Sequence, residues 1–411
     1  MSLKRVVVTG LGAVSPYGAG MELFTDSLRA GRGAVRPVPE LAAIQGLRAR
    51  VAALVPELDA KIIPRKFRRS MTSMSVFAYL ACREALARAG LGEEECRGGR
   101  LGIVLGSTVG SIAASESFFA DFFVDRSLER MKSGLFFQIM NHSCAANVAQ
   151  ALGIAGRILA PAAACSTGCQ AIGYGAETIA LGKQDWLLCG GADEFHPLTA
   201  ATFDVMNAGS ARYNDDPEQT PRPFDRDRDG VVCAEGCGIL LLESLDSALA
   251  RGAEILAEVT GFATLSAPSN IANPDAEAIA RCMTAALADA GVTAADIDYV
   301  NAHATGTDLG DRAEAESIYR LFGDRVPVSS LKGHIGHAMA ASGSLELAAC
   351  VAMLGDGRLI PTRNLDRVDP ECAPIRHVRG LEAAPVNTIL KNNFALGGVN
   401  SSIVLRRYRH D

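Results

Sequence analysis

The chain has 411 residues, of which 48% are apolar and 21% charged, a composition typical of a globular protein. Its formal net charge of −6 gives no electrostatic support for nucleic-acid binding, and no stretch approaches the ~20 apolar residues needed for membrane insertion. The eleven cysteines are an odd number without framework spacing, which indicates reduced thiols and predicts a cytoplasmic protein.

Apolar runs alternate with amphipathic helical patterns, which predicts an α/β fold. The first apolar run breaks at Thr9-Gly10, and we interpret it as a strand and a turn rather than as a signal peptide. The predicted strands cover residues 5–8, 101–105, 186–189, 238–242, 299–301 and 388–390. The predicted helices cover residues 74–89, 167–181, 276–290 and 342–354.

An internal repeat relates the two parts of the chain. The segment "RVVVTGLGAVS" near residue 5 is similar to "LAEVTGFATLS" near residue 256, and the order strand, helix, strand, glycine bend, helix, strand occurs twice. This order predicts two duplicated halves, residues 1–254 and 255–411. If the halves stack pseudo-symmetrically, their equivalent glycine bends face each other.

Two segments interrupt the regular pattern of the first half. Residues 210–230 are rich in Asp, Pro and Arg and are predicted to form a loop. Residues 111–150 carry six phenylalanines, and we expect a helical insertion that lines an apolar site or belongs to the core.

The glycine bend of the first half carries a thiol, Cys165, in "PAAACSTGCQAIGYG". A buried cysteine often serves only packing. A cysteine at a helix start can instead be a nucleophile, because the helix N-terminus stabilises the thiolate. The C-x3-C pairs of this chain have no His-x3-His partner, so we expect no metal.

The second half carries the histidines. His303 in "NAHATGTDLGD" ends a predicted strand, and "SSLKGHIGHAMAASG" holds Lys332, His334 and His337. Each of these residues taken alone is compatible with a structural role, and His334, without a counterpart in the first half, is predicted to have one. Near the thiol, however, two neutral imidazoles can donate hydrogen bonds to a developing oxyanion, and a lysine can keep a histidine neutral.

The combination of "ACSTG", "HATGTDLGD", "KGHIGH" and a Phe-x-x-Gly-Gly-x-Asn turn resembles the β-ketoacyl-acyl-carrier-protein synthases of the elongating type. The resemblance runs from residue 5 to 407 and includes "PRPFDRDRDGVVCAEGCG" at 221–238. It implies the thiolase-like five-layer αβαβα fold of these condensing enzymes of fatty acid and polyketide synthesis. It also implies a homodimer that works with acyl carrier protein. Substrates arrive on phosphopantetheine, and the enzyme needs no cofactor or metal of its own.

The resemblance assigns roles to individual residues. Cys165 matches the nucleophile that takes up the acyl group, His303 and His337 match the histidines that bind the malonyl thioester and drive decarboxylation, and Lys332 supports the first histidine. The remaining matches are the supporting acids Asp311, Glu314 and Glu346, the pantetheine-binding threonines Thr305 and Thr307, and the gating turn with Phe394 and Leu396. The oxyanion hole for acyl transfer would be the backbone N–H groups of Cys165 and Leu396.

The resemblance also suggests two surfaces. The acyl pocket is predicted to be lined by Val109, Ile112, Phe137 and Phe203. The basic cluster "IPRKFRRSM" is either a solvated helix face or a dock for acyl carrier protein through Arg65, Arg68 and Arg69.

The gating turn departs from the usual Phe-Gly-Phe-Gly-Gly, because Ala395 and Leu396 replace a glycine and an aromatic residue, and Ala304 replaces a common glycine. These changes predict an altered acyl selectivity and a specialised pathway. A degradative thiolase would carry a second cysteine in residues 392–402, which contain none. A chain-initiating synthase would carry Asn at the position of His337. The sequence therefore disfavours both classes. A non-condensing partner subunit of the chain-length-factor type stays open as the alternative, although such partners generally lack the cysteine.

Overall fold

The structure is a computed structural model that describes residues 3–269, 271 and 273–409. These residues form strands β1 Val6–Ser15, β2 Gly18–Ala19, β3 Arg36–Pro37, β4 Val51–Ala52, β5 Leu101–Gly106, β6 Ile158–Leu159, β7 Trp186–Asp193, β8 Gly236–Ser244, β9 Ala257–Ser266, β10 Tyr299–Asn301, β11 Pro327–Ser329, β12 Arg358–Leu359, β13 Arg376–His377, β14 Glu382–Ala383, β15 Thr388–Ala395 and β16 Val399–Arg406.

The same residues form helices α1 Met21–Arg29, α2 Pro39–Ala42, α3 Arg65–Arg68, α4 Ser73–Arg88, α5 Glu93–Arg97, α6 Ile112–Phe123, α7 Ser133–Ile139, α8 Ser143–Leu152, α9 Thr167–Ala180, α10 Pro197–Val205, α11 Leu245–Ala250, α12 Ala276–Asp289, α13 Asp308–Phe322, α14 Lys332–Ile335 and α15 Ala340–Asp356. None of the helices in the described part of the chain is long and apolar enough to cross a membrane.

Every predicted strand and helix is present, most of them with longer ends. The predicted turn at Thr9-Gly10 is wrong, because β1 continues to Ser15 and only shifts its register on β8 at this point. The glycine there serves packing rather than a turn: a Cβ on Gly10 would lie 2.2 Å from the carbonyl oxygen of Ala85 in α4. Glycine therefore lets α4 lie directly on the strand.

The two halves repeat one strand order. The first half reads β1-β8-β7-β5-β6 and the second reads β9-β16-β15-β10-β11. The pairings also match, since the first two in each half are antiparallel and the last two are parallel. A short antiparallel pairing of β1 with β9 joins the halves into one continuous sheet. The predicted duplication is thus present in the topology.

Helices cover both faces of this sheet and separate its halves. Helices α9 and α15 contact strands of both halves and pack against each other, whereas α4 packs on β1, β8 and β7, and α12 packs on β9, β16 and β15. With α8 against α4 and α13 against α12, the layers alternate as αβαβα. This arrangement confirms the predicted thiolase-like fold and places the starts of α9 and α15 in the middle of the molecule.

The insertion of the first half is helical, as expected, but only its last part, on α8, belongs to the core. Its phenylalanines on α6 and α7 contact one another, and Phe119, Phe123 and Phe136 are at least 50% exposed. None of the six phenylalanines lines the large cavity described below. The predicted loop at residues 210–230 contains only a single turn of 3-10 helix, at Pro217–Gln219, and therefore agrees with the structure.

Candidate active site

Cys165 lies in a single 3-10 turn, residues 164–166, directly before α9. Ala164 has a φ of +46°, in the left-handed region that a residue with a Cβ seldom adopts, so the turn stores backbone strain beside the thiol. The other half of the molecule holds this turn. Asn393 Nδ2 donates to the carbonyl oxygen of Cys165 at 3.2 Å, and Ser166 Oγ donates to the carbonyl oxygen of Asn393 at 3.1 Å.

His303 follows the carboxyl end of β10. Its backbone N–H and that of Ala304 donate to the two carboxylate oxygens of Glu314 at 2.8 and 2.6 Å, which fixes the loop. The side-chain amide of Asn393 lies 3.3 Å from His303 Nδ1. Because the amide nitrogen can only donate, Nδ1 is the acceptor, and the neutral ring carries its proton on Nε2.

His337 lies between α14 and α15. Its backbone N–H donates to the carbonyl oxygen of Val232 at 2.8 Å, while the backbone N–H of Met339 donates to its Nδ1 at 3.2 Å. Ser342 Oγ is 2.7 Å from the same nitrogen. The proton of the neutral ring is therefore on Nε2, which is buried and has no hydrogen-bond partner among the described residues. A buried, unpaired N–H is a donor that awaits an acceptor.

The thiol and the two imidazoles meet at one place. Cys165 Sγ and one ring nitrogen of each histidine lie within 4.8 Å of one another. The two imidazole rings are edge to face, with centroids 5.3 Å apart. Cys165, His303 and His337 all line a cavity of about 1000 Å³. The predicted convergence of the two glycine bends is confirmed, because α9 of the first half and α15 of the second start on either side of this cavity.

Both imidazoles are neutral at neutral pH. Burial, followed by the ammonium of Lys332, lowers the pKa of His303 and of His337 well below the usual histidine value. Lys332 Nζ donates to Glu346 Oε1 at 2.7 Å, and burial lowers the pKa of this ammonium as well. Lys332 therefore acts on both histidines through its charge, and Glu346 pairs with Lys332; the supporting roles of these two residues stay predictions.

Burial governs the protonation of the Cys165 thiol. Enclosure in the cavity raises the pKa of Cys165 to about 11, although the charge of Lys332 acts in the opposite direction. Desolvation disfavours the anion by more than the nearby ammonium favours it. The resting group is thus the neutral thiol, and its proton must leave during the reaction.

Two of the predicted supporting acids hold the loop after β10. Asp311 accepts from the backbone N–H groups of Thr305 and Gly306 at 3.0 and 3.2 Å, and from that of Phe224 at 2.8 Å. Burial raises the pKa of Asp311 to about 6 and that of Glu314 to about 7. Asp311 and Glu314 thus position the backbone that carries His303.

The predicted pantetheine-binding and gating residues also line the cavity. Thr305 and Thr307 have their hydroxyl oxygens 3.1 Å apart. The Phe394 ring lies edge-on to His303 with centroids 5.8 Å apart, and Leu396 is 52% exposed in the turn between β15 and β16. The pantetheine-binding and gating roles stay predictions.

Three of the four residues predicted to form the acyl pocket line the cavity, namely Val109, Ile112 and Phe203. Phe137 does not, and this part of the prediction disagrees with the structure. Its ring packs edge-on against His142 at 6.0 Å, because the insertion folds back on itself instead of turning toward Cys165.

The predicted docking residues and His334 lie away from the cavity lining. Arg65 and Arg69 are exposed at α3, and Arg68 is half-buried and donates to the carbonyl oxygen of Ala60 at 3.0 Å. His334 is buried with its Nε2 2.8 Å from the carbonyl oxygen of Pro361, as expected of a structural histidine. The docking role is untested by these positions.

Sequence reasoning missed Arg228, which lines the cavity from the segment 210–230. Its guanidinium donates to the carbonyl oxygens of Thr307 and Asp308 at 3.1 and 3.0 Å and lies 3.8 Å from Asp311. The available signal was the family resemblance of the segment 221–238, which contains Arg228. A loop of this composition gives no indication that one of its arginines is buried.

Asp193 at the end of β7 was also missed. Its carboxylate accepts from the backbone N–H of Ala340, the first residue of α15, at 2.8 Å and from that of Thr108 at 2.9 Å. Burial raises the pKa of Asp193 to about 7. The available signal was an acid four residues beyond the predicted strand 186–189.

Comparisons with known proteins agree with this geometry. Residues 3–248 match the family model "Beta-ketoacyl synthase, N-terminal domain", and residues 256–366 match "Beta-ketoacyl synthase, C-terminal domain". The chain is 34% identical to 3-oxoacyl-[acyl-carrier-protein] synthase 1 of Haemophilus influenzae, with 99% of this chain and 100% of the relative covered. It is 37% identical to the tetracenomycin polyketide synthase ketoacyl synthase alpha subunit of Streptomyces glaucescens, with 98% and 97% covered.

A solved structure is similar over the whole fold. The crystal structure of a β-ketoacyl synthase from Burkholderia phymatum is 42% identical, has a TM-score of 0.95, and covers 99% of this chain and 100% of its own. Sequence, fold and site therefore agree. The chain belongs to the β-ketoacyl synthase family of acyl-transferring condensing enzymes.

Proposed function

We propose that the protein extends an acyl chain by decarboxylative Claisen condensation. An acyl group carried on Cys165 reacts with malonyl-acyl-carrier protein to give 3-ketoacyl-acyl-carrier protein and CO2. The observation that carries the proposal is the approach of one thiol and two imidazoles to within 4.8 Å inside one cavity. Capture of the acyl group on the thiol divides a difficult condensation into two easier steps.

The first step is acyl transfer to Cys165. The sulfur attacks the thioester carbonyl, the bond to the pantetheine sulfur breaks, and the thiol proton ends on the departing thiolate. The proton balance closes without an external base, which suits a thiol that is neutral at rest. The backbone N–H groups of Cys165 and Leu396 are the proposed donors to the oxyanion.

The second step is decarboxylation of the malonyl group. The Nε2–H donors of His303 and His337 bind the thioester oxygen as CO2 leaves and negative charge develops there. The enolate carbon then attacks the acyl carbonyl on Cys165, and the released thiolate takes a proton from solvent. Neutral imidazoles serve this step because they donate a hydrogen bond without transferring the proton.

The proposed partner is acyl carrier protein, which delivers both substrates on phosphopantetheine in the cytoplasm. A structural relative, 29% identical, is described as a type II polyketide synthase acyl-carrier protein in complex with its ketosynthase bound to the hexaketide. We propose a homodimer that needs no cofactor or metal. A non-condensing subunit in a heterodimer is the second candidate, because another relative, 32% identical, is described as the ishigamide ketosynthase/chain length factor.

The test is production of 3-ketoacyl-acyl-carrier protein by the purified chain alone, followed by mass spectrometry. We expect product from acyl- and malonyl-acyl-carrier protein, an acyl adduct on Cys165, and unchanged activity after treatment with EDTA. Cys165→Ala should abolish the adduct, whereas Cys96→Ala, at a buried thiol of α5, should retain it. Product formed only after a second ketosynthase chain is added would support the heterodimer instead.

A further inference from the structure

A second buried ammonium lies beside the catalytic groups, on β15. Lys391 is fully buried, and its Nζ lies 2.8 Å from Glu346 Oε2, while Lys332 Nζ binds the other oxygen of the same carboxylate at 2.7 Å. Lys391 Nζ also donates to the carbonyl oxygen of Asn392. Sequence analysis did not single out this lysine, and the reaction described above does not use it.

The charges around Lys391 do not cancel by themselves. Two ammoniums share the single carboxylate of Glu346. The other titratable groups that act on this cluster are Glu314 on α13, Cys169 on α9, Cys350 on α15, Tyr299 on β10, Cys165, His303 and His337. Burial keeps the thiols and the phenol neutral by raising their pKa, and it keeps the imidazoles neutral by lowering theirs. When Glu314 is protonated, the cluster therefore carries one excess positive charge in the interior.

Strand β15 carries both Lys391 and a residue that contacts His303. Alternate residues of a strand point to the same side, so Lys391 and Asn393 share one face of β15. Asn393 Nδ2 lies 3.3 Å from His303 Nδ1, while Asn392, on the other face, has its amide 3.4 Å from Glu314. A buried charge without a full partner is costly.

We propose that Lys391 is a positioning residue whose buried positive charge stabilises the enolate that forms beside His303 and His337. This inference rests on the proposed function. The ammonium does not touch the substrate. It acts through the low-dielectric interior on the negative charge of the enolate, and through the same field it disfavours the imidazolium forms of the two histidines, which also face Lys332 and each other.

The test compares Lys391→Gln and Lys391→Met with Lys391→Arg. The first two remove the charge but leave Glu346 paired with Lys332, so the fold should be retained. The kcat for decarboxylation of malonyl-acyl-carrier protein should fall about tenfold, less than the loss of a direct donor would cause, because the charge is remote. The KM should change little, because Lys391 does not touch the substrate. Without the charge the histidines protonate at higher pH, so the acid limb of the pH–rate profile should move to higher pH.

The controls separate charge from packing. Lys391→Arg should keep the position of the acid limb, and Lys61→Met, on the surface, should match the wild type. Lys391→Gln keeps hydrogen-bond donors and decides the question if Lys391→Met fails to fold. A wild-type pH profile and kcat in folded Lys391→Gln, or an acid limb in Lys391→Arg that moves as far as in Lys391→Gln, would overturn the inference. Absence of ketoacyl product from the wild type would instead overturn the proposed function.

Discussion

The bend before α9 and the bend before α15 are equivalent positions of the two halves. Each contains a residue with a Cβ in the left-handed region, Ala164 at +46° and Met339 at +49°, four residues before a glycine. A Cβ on Gly168 would lie 2.5 Å from the carbonyl oxygen of Ala340, and one on Gly343 would lie 2.8 Å from the α9 backbone. The duplicated strain thus accompanies close packing of the two helix starts.

The side chains of the two bends differ where the backbones agree. When Gly168 is aligned with Gly343, Cys165 corresponds to Ala340. In the same alignment, His337 corresponds to Ala162. Each half therefore carries a reactive group where the other carries alanine. The comparison teaches that the shared backbone supplies proximity, while single side chains divide the chemistry between the halves.

Exchanging the reactive side chains for the alanine of the opposite bend should give the largest effects, and opposite ones. Cys165→Ala should abolish acyl capture and leave malonyl decarboxylation measurable. His337→Ala should leave acyl capture on Cys165 largely intact and lower decarboxylation by about 10²–10³-fold, because one donor to the developing oxyanion is lost. Mass spectrometry of the acyl adduct and CO2 release measure the two steps separately.

The matched control is Ser344→Ala, which removes a buried hydroxyl of α15 that donates to the carbonyl oxygen of Ala341 and accepts from the backbone N–H of Gly191 in β7. It should affect both steps alike and only weakly. Equal loss of both steps in Cys165→Ala and His337→Ala would contradict the division of labour between the bends.

A substitution that disturbs the contact between the starts of α9 and α15 should give the next largest effect, a loss of stability. Gly168→Ala places a Cβ 2.5 Å from a backbone oxygen, so the helices must separate. We expect the free energy of unfolding to fall by about 2 kcal/mol, as overpacking of a core typically costs. Denaturant titration measures this change, and Gly355→Ala, in α15 with nothing within 4 Å of the added Cβ, should be neutral or slightly stabilising.

Much of this architecture follows from the sequence. The alternation of apolar runs with helical patterns predicted the central strands and helices, and the repeat predicted that the two bends meet. Strand 299–301 was predicted with its observed limits. The turn at Thr9-Gly10 was wrong because glycine there accommodates α4, a tertiary contact that no local pattern reveals.

The site was predicted less completely than the fold. The reactive side chains were found because they lie in glycine-rich bends whose motifs resemble those of a known family. Buried partners such as Arg228, Asp193 and Lys391 were missed, because charged residues are mostly exposed and a sequence does not reveal which exceptions are buried. The protonation state of Cys165 could not be predicted for a related reason: burial outweighs the local charges.

Backbone strain in the first bend should give a smaller effect. Ala164→Gly permits the φ of +46° without steric cost, and we expect the free energy of unfolding to rise by about 1 kcal/mol, since strain of this kind exceeds the added flexibility of the unfolded chain. Ala163→Gly, with a φ of −138°, should be destabilising by a similar amount. A destabilised Ala164→Gly would show that the bend is not strained.

The smallest effect concerns the connection that follows β7 and β15. In the first half residues 194–235 separate β7 from β8, whereas in the second half a turn of only Leu396, Gly397 and Gly398 joins β15 to β16. This turn places Leu396 on the cavity at 52% exposure. Leu396→Phe should narrow the entrance and shift the acyl-chain profile toward shorter chains, by about threefold in relative kcat/KM.

Competition between acyl-carrier proteins of different chain length, with products separated by mass, measures this shift. Leu381→Phe, at a leucine of similar exposure that does not line the cavity, controls for adding a ring to the surface. An unchanged profile in Leu396→Phe would mean that the turn does not select chains. Selection would then reside in the first half, where Val109, Ile112 and Phe203 line the cavity. In that case the half that carries the thiol would also choose what the thiol binds, and the second half would contribute the chemistry of the malonyl unit alone.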